Sequence, residues 1–202
     1  MENLIRKVEE LKKSNAKKII DERINEFKNI KKSDIFSELC FCILTANSSA
    51  ERCIHVQKHA KDCFENLQKD ELAERLKKLG ARFHTKRAGY IVAARKNKKN
   101  LCRLNNDGKK AREWLVENIK GLGMKESSHF LRNIGYDDVA IIDFHIIDLL
   151  ARNNLIDKPK TMNKKKYLEI EKILKKIAKN LNLTLAELDL YLWYIETGKI
   201  LK

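Results

Sequence analysis

Two glycines one residue apart, Gly121 and Gly123, flank Leu122 in a break between stretches whose apolar residues recur at helical spacing. Glycine adopts positive φ easily and has no Cβ, so a phosphate can approach such a turn closely. The free N–H groups of the following helix would point at that phosphate, and the helix dipole adds to the attraction. The spacing predicts a hairpin that binds a phosphate backbone without selecting a base sequence. The alternative is an ordinary turn between two helices, with glycine as the cap.

A lysine, Lys125, falls in the first turn of the helix after this hairpin. The positive end of the helix dipole destabilises an ammonium there and so favours the neutral amine. A neutral amine is a nucleophile that can form a Schiff base. A surface lysine paired with a phosphate fits this position equally well, so the residue alone leaves both interpretations open.

A carboxylate, Asp143, follows the short apolar run Val139-Ala140-Ile141-Ile142 and precedes another helical stretch. It is a good N-cap for that helix, which would be a sufficient structural role. A cap carboxylate at the end of a buried connector is also well placed to face a cleft. A lysine and a carboxylate in one cleft suit attack on a sugar carbon, in which one group is the nucleophile and the other stabilises developing positive charge.

The elements that must position these groups are predicted to be helices. Apolar residues recur at steps of three and four through most of the chain. The last such stretch begins behind Thr184 and Glu187, which have capping-box spacing. The run at residues 139–142 is short and lies between helices, so we expect a buried connector there rather than a strand.

The composition narrows the class of protein. The chain has 202 residues with 7 glycines and 1 proline, too few turn formers for an all-β fold. Lys and Arg number 43 against 28 Asp and Glu, a formal charge of +15 that favours a polyanionic partner. Genome bias or thermal adaptation also produces lysine-rich chains. No apolar stretch approaches membrane-span length and no signal core is present, so a cytoplasmic protein is expected.

The cysteines do not suggest a metal centre. They are odd in number and no pair has C-x-x-C spacing, and Cys40 and Cys42, two apart on an apolar helical stretch, are expected to be core residues rather than metal ligands. None follows Cys102, which excludes a cysteine-ligated cluster near the C-terminus. The five are Cys40, Cys42, Cys53, Cys63 and Cys102.

The sequence resembles the helix-hairpin-helix DNA glycosylase superfamily at the hairpin, at Lys125 and at the segment Asp143-Phe144-His145. Within it, the chain is most similar to the type 2, archaeal-type 8-oxoguanine DNA glycosylase/AP lyases, and the absent cysteine cluster distinguishes it from the iron–sulfur members. The similarity covers most of the chain, through residues 39–47, 82–88, 120–135, 136–143 and 188–202.

The resemblance implies a bilobal all-α fold with an active-site groove between two helical lobes. Residues 31–135 would form one lobe, and residues 1–30 with 136–202 the other. The implied activity is base excision repair of double-stranded DNA that contains 8-oxoguanine, by a nucleoid-associated enzyme that acts as a monomer. Lys125 would attack C1′ as the base leaves, Asp143 would assist, and β-elimination from the Schiff base would nick the strand 3′ of the lesion. No redox cofactor is implied.

The resemblance also implies how the substrate is recognised. Phe83 and Trp193 would sandwich the flipped-out base, although both rings could instead be core residues. Lys202 would contribute its main-chain groups. Asn47 would fill the gap that the base leaves, unless it is a helix C-cap. His145 would contact a phosphate or be purely structural.

The hairpin itself would hold the DNA backbone through Lys120, Gly121 and Gly123. Hairpin carbonyls in this superfamily can also hold a monovalent cation, here those of Glu117, Ile119 and Leu122, but no side chain identifies such a site and no metal is expected. Two other functions remain open. One is a non-catalytic helix-hairpin-helix DNA-binding module, and the other is a glycosylase for oxidised pyrimidines, against which the aromatic pair and Lys202 weigh weakly.

Overall fold

A computed structural model describes all residues from 1 to 202. About 70% of them are helical and none is in a strand, which confirms the all-α prediction. No helix is long and apolar enough to cross a lipid bilayer. The helices are α1 (Glu2–Lys12), α2 (Asn15–Lys28), α3 (Ile35–Thr45), α4 (Ala50–Ala60), α5 (Cys63–Asn66), α6 (Lys69–Lys78), α7 (His84–Ala94), α8 (Lys98–Leu101), α9 (Gly108–Asn118), α10 (Met124–Asn133), α11 (Phe144–Arg152), α12 (Lys164–Asn180) and α13 (Leu185–Thr197).

The side chain of the N-cap residue stabilises the first turn of many of these helices. An oxygen of the N-cap residue accepts a hydrogen bond from a first-turn N–H, which would otherwise lack a partner. The predicted capping box is confirmed at α13, where Thr184 and Glu187 each pair with the other's backbone N–H. The capping residues are Ser14, Ser49, Asp107, Asp143, Asn163 and Thr184.

The chain forms two compact units. One is Ile30–Ile134, and the other combines Met1–Asn29 with Gly135–Lys202. In the first unit the apolar helix α3 lies in the core, and Cys40 and Cys42 on it are both buried, as predicted for core cysteines.

A buried polar network anchors α10 within the first unit. The carboxylate of Glu38 on α3 accepts hydrogen bonds from Gln57 Nε2 at 2.8 Å and Asn133 Nδ2 at 3.1 Å. Arg112 on α9 donates to Ser128 Oγ on α10 at 3.1 Å. Hydrogen bonds between buried polar groups are directional, so they fix the orientation of a helix as well as its distance from its neighbours. These bonds therefore hold α10 in one position against α3, α4 and α9.

The second unit contains the connector predicted before Asp143. Residues 139–142 are buried and have no regular secondary structure, which confirms that prediction. Two side chains of α12, one turn apart, pair with its backbone. Tyr167 Oη donates to the carbonyl of Ala140 at 2.8 Å and accepts from the N–H of Ile142 at 3.2 Å. Glu171 accepts from the N–H of Ala140 at 2.9 Å. These bonds replace those that a strand or helix would supply.

We predict that Tyr167→Phe lowers the free energy of unfolding by about 1–3 kcal/mol, because it leaves a buried N–H and a buried C=O without that partner. Denaturant titration measures the change. Tyr191→Phe is the matched control, since Tyr191 is as buried as Tyr167, each 2% exposed, but pairs with no backbone group of the connector. Equal losses for the two variants would contradict the prediction.

Candidate active site

The hairpin lies between α9 and α10 and needs a glycine at Gly121. The carbonyl of Ile119 accepts a hydrogen bond from the N–H of Leu122 at 3.2 Å, and Leu122 is buried, as expected for the residue that anchors the turn. Gly121 has φ +95°, and a Cβ there would lie 2.3 Å from the ring of Tyr90. Gly123 has φ −96° and ψ −169°, an extended backbone, so the positive φ predicted for the pair occurs at Gly121 only.

Gly123 is the N-cap of α10, and Lys125 lies in the first turn as predicted. The neighbouring Glu126 bridges the two. Its Oε2 accepts from the N–H of Gly123 at 3.3 Å, and its Oε1 lies 3.3 Å from Lys125 Nζ. This carboxylate offsets the repulsion between the helix dipole and the ammonium of Lys125. Glu126 was missed in the sequence analysis, although its place three residues after the N-cap marks a capping box.

A thiol near Lys125 is a poor alternative nucleophile. Cys53 on α4 is buried, and its Sγ donates to the carbonyl of Leu44 at 3.1 Å. Burial raises the pKa of the Cys53 thiol, although Arg87 and other neighbouring groups oppose this. Since the thiolate is the reactive form, burial makes Cys53 a poor nucleophile.

Asn47 and Phe83 both adopt a left-handed backbone conformation in the same unit, each with φ 54°. Asn47 is exposed just beyond the end of α3, where the left-handed conformation is common for a residue that ends a helix. Phe83 precedes α7 and is 54% exposed. The alternative that Phe83 is a core residue is therefore wrong, and its ring is available to a ligand.

In the other unit, Asp143 is the N-cap of α11, as predicted. Its Oδ1 accepts from the N–H of Ile146 at 3.0 Å. Its Oδ2 makes no hydrogen bond within the protein, so one oxygen of the carboxylate holds the helix and the other is free to act on a substrate. The connector fixed by Tyr167 and Glu171 ends at this residue.

Three aromatic rings follow one another beside Asp143. The His145 ring meets the Trp193 ring edge-on, with centroids 5.0 Å apart, and the Phe144 ring lies 3.9 Å from His145. Trp193 is only partly buried, so one part of its ring remains accessible. Phe144 is 65% exposed. It was not predicted as a site residue, and only its position between Asp143 and His145 in the sequence could have indicated one.

The remaining residues predicted for the site lie at the surface. Gly121, Gly123 and Lys120 are exposed, and Lys120 Nζ lies 6.0 Å from the centroid of the Tyr90 ring. Lys202 is partly exposed. The structure contains no group of three or more His, Cys, Asp or Glu side chains that could hold a metal ion.

The sequence and fold were compared with known proteins. Residues 20–183 match the model of the 8-oxoguanine DNA glycosylase family. The 8-oxoguanine DNA glycosylase/AP lyase of Methanocaldococcus jannaschii is 58% identical over 98% of this chain and 99% of its own. The enzyme of that name from Thermotoga maritima is 44% identical over 99% of both chains.

Solved structures agree with these matches. The crystal structure of the M. jannaschii enzyme with a 15mer DNA containing 8-oxoguanine superposes with a TM-score of 0.94, covering 98% of this chain and 99% of that one at 56% identity. The T. maritima glycosylase gives 0.91 at 43% identity, over 100% of this chain and 99% of that one. The family inferred from the hairpin, Lys125 and the Asp143 segment is thereby confirmed, and the chain belongs to the 8-oxoguanine DNA glycosylase family.

Proposed function

We propose that this protein removes 8-oxoguanine from double-stranded DNA and then cleaves the strand at the resulting abasic site, as a bifunctional glycosylase/AP lyase of base excision repair. The match along nearly the whole chain to enzymes of that name carries the proposal. The geometry agrees with it, because a lysine lies in the first turn of the helix after the hairpin and a carboxylate caps a second helix.

Lys125 is the proposed nucleophile. Its amine forms a bond to C1′ of the damaged nucleotide while the bond from C1′ to the base breaks and the base leaves with the electron pair. Opening of the sugar ring gives a Schiff base between C1′ and Nζ. Loss of the C2′ proton then expels the 3′ phosphate, and hydrolysis releases Lys125. Glu126 supports this role, since it holds the ammonium beside the hairpin.

Asp143 is the proposed electrostatic partner in this reaction. Positive charge develops on the sugar as the base leaves, and a carboxylate that is already fixed in place stabilises that charge without reorganising. The bond from Asp143 to the N–H of Ile146 supplies this fixation. The same carboxylate can orient Lys125 or accept its proton.

The aromatic rings of Phe83 and Trp193 are proposed to stack on the flipped-out base, with the main chain of Lys202 contacting its edge. Asn47 would occupy the vacated position in the duplex. Lys120, Gly121, Gly123 and His145 would hold the phosphate backbone.

The remaining parts of the proposal concern the state of the protein. It acts as a monomer on the chromosome in the nucleoid and needs no redox cofactor. The carbonyls of Glu117, Ile119 and Leu122 are the proposed ligands of a monovalent cation at the hairpin. The N–H of Leu122 occupies one lone pair of the Ile119 carbonyl, which leaves the second for such an ion.

Borohydride trapping tests the function directly. Wild-type protein should form a covalent adduct with a duplex that contains 8-oxoguanine, and Lys125→Gln should form none because an amide cannot make a Schiff base. Lys86→Gln, at an exposed lysine of α7, is the matched control and should still form the adduct. No wild-type adduct on this lesion or on thymine glycol would favour the non-catalytic DNA-binding module. An adduct on thymine glycol alone would favour a pyrimidine glycosylase.

Asp143→Asn separates the two roles of Asp143. Asparagine caps a helix as well as aspartate does, so thermal stability should change little. The rate of base excision in single turnover should fall by about 10²–10⁴-fold, because the negative charge is lost. Wild-type excision by Asp143→Asn would reduce Asp143 to a helix cap.

The salt dependence of binding tests the contact at the hairpin. We expect Lys120→Ala to weaken binding to damaged and undamaged duplexes alike, and to reduce the slope of log K against log salt concentration by about one. Lys7→Ala on α1 has the same loss of charge and should leave that slope unchanged. A loss of affinity restricted to the damaged duplex would contradict a phosphate contact.

A further inference from the structure

Two arginines, Arg82 and Arg87, surround the left-handed residues Asn47 and Phe83, and we refer to this pair as the arginine clamp. Arg82 Nη1 donates to the main-chain carbonyl of Asn47 at 2.8 Å. The Arg82 guanidinium also lies over the Phe83 ring, 5.2 Å from its centroid. One side chain therefore contacts both left-handed residues, which are far apart along the chain.

Arg87 forms the fixed half of the clamp. It is buried, and its guanidinium donates to the carbonyls of Ile43, at 2.7 Å, and Ala46. These carbonyls belong to the C-terminal end of α3, where the helix dipole favours a cation. Burial lowers the pKa of Arg87, but a guanidinium remains charged near neutral pH. Its centre lies 5.7 Å from the centroid of the Phe83 ring, so this ring has two cationic neighbours.

The left-handed backbone at Phe83 is costly, because local preference disfavours it for an aromatic residue. Such a conformation persists only where the surroundings hold it. Phe83 receives no compensation from burial, since more than half of its surface is exposed. A strained and exposed aromatic residue with two guanidinium groups near its ring is typical of a surface that contacts a ligand.

We propose that Arg82 is a positioning residue which, anchored on the main-chain carbonyl of Asn47, holds the ring of Phe83 in one fixed arrangement, so that Phe83 is ready to stack on a flipped-out purine. This inference rests on the proposed function, in which Phe83 stacks on the base and Asn47 fills the vacated position. Arg82 contributes to excision through Phe83.

The simpler alternative is that exposed Arg82 pairs with a DNA phosphate. The two roles differ in a measurable way. A phosphate contact aids every step on every duplex, whereas positioning of Phe83 matters only while a base is present. Cleavage at an abasic site prepared in advance has no base to stack and therefore separates them.

The experiment is a double-mutant cycle of Arg82→Ala and Phe83→Ala, measured in single turnover on two duplexes, one with 8-oxoguanine and one with a preformed abasic site. Arg82→Ala should slow excision of 8-oxoguanine by about 5- to 150-fold, the range for loss of one base–aromatic stack. It should leave cleavage of the abasic duplex unchanged. In the Phe83→Ala background it should have no further effect on excision.

Two further variants make the result decisive. Lys86→Ala removes a positive charge four residues further on, in α7, without touching Asn47 or Phe83, and should excise 8-oxoguanine at the wild-type rate. Arg82→Lys retains the charge but not the planar guanidinium, and should stay below wild type. Additive effects in the cycle, equal losses on the two duplexes, or full rescue by lysine would overturn the positioning role. Failure of wild type to cleave either duplex would overturn the proposed function as well.

Discussion

The position of Asp143 depends on how the buried backbone of residues 139–142 is held. This backbone is buried without being helix or strand, so its polar groups depend on side chains from another element. Tyr167 and Glu171 meet that need from one face of α12. The position of Asp143, and with it the start of α11, follows from bonds made by residues that take no part in the chemistry.

The two proposed catalytic groups occupy the same kind of position in their helices. Each lies at the N-terminal end of a helix, where free N–H groups attract negative charge. At α11 the attracted carboxylate is Asp143 itself. At α10 it is Glu126, which leaves Lys125 next to both a positive helix end and a carboxylate. Because DNA is also an anion, the same helix end that Glu126 occupies is the one to which a phosphate would be drawn.

Much of this arrangement could be predicted from local sequence. The hairpin, the buried Leu122, the cap at Asp143 and the capping box at Thr184 all follow from spacing over a few residues. The need for glycine at Gly121 could be predicted only in part. The positive φ follows from the turn, but the lack of room for a Cβ is due to the ring of Tyr90, which is far away in the sequence.

The features missed in the sequence depend on tertiary contacts. Nothing local indicates that Arg82 reaches the carbonyl of Asn47, or that Tyr167 reaches Ala140. The left-handed backbone at Phe83 was also missed, since local preference disfavours it for an aromatic residue. Local rules thus identify the reactive groups, and long-range hydrogen bonds determine how precisely they are held.

In the proposed reaction, Lys125 carries the covalent intermediate. The most direct test is to reduce the wild-type complex with borohydride, digest it with protease and nuclease, and locate the sugar remnant by mass spectrometry. We expect one modified peptide, with the added mass on Nζ of Lys125. A remnant on another lysine or on the N-terminal amine would contradict this expectation, whatever the activity of the enzyme.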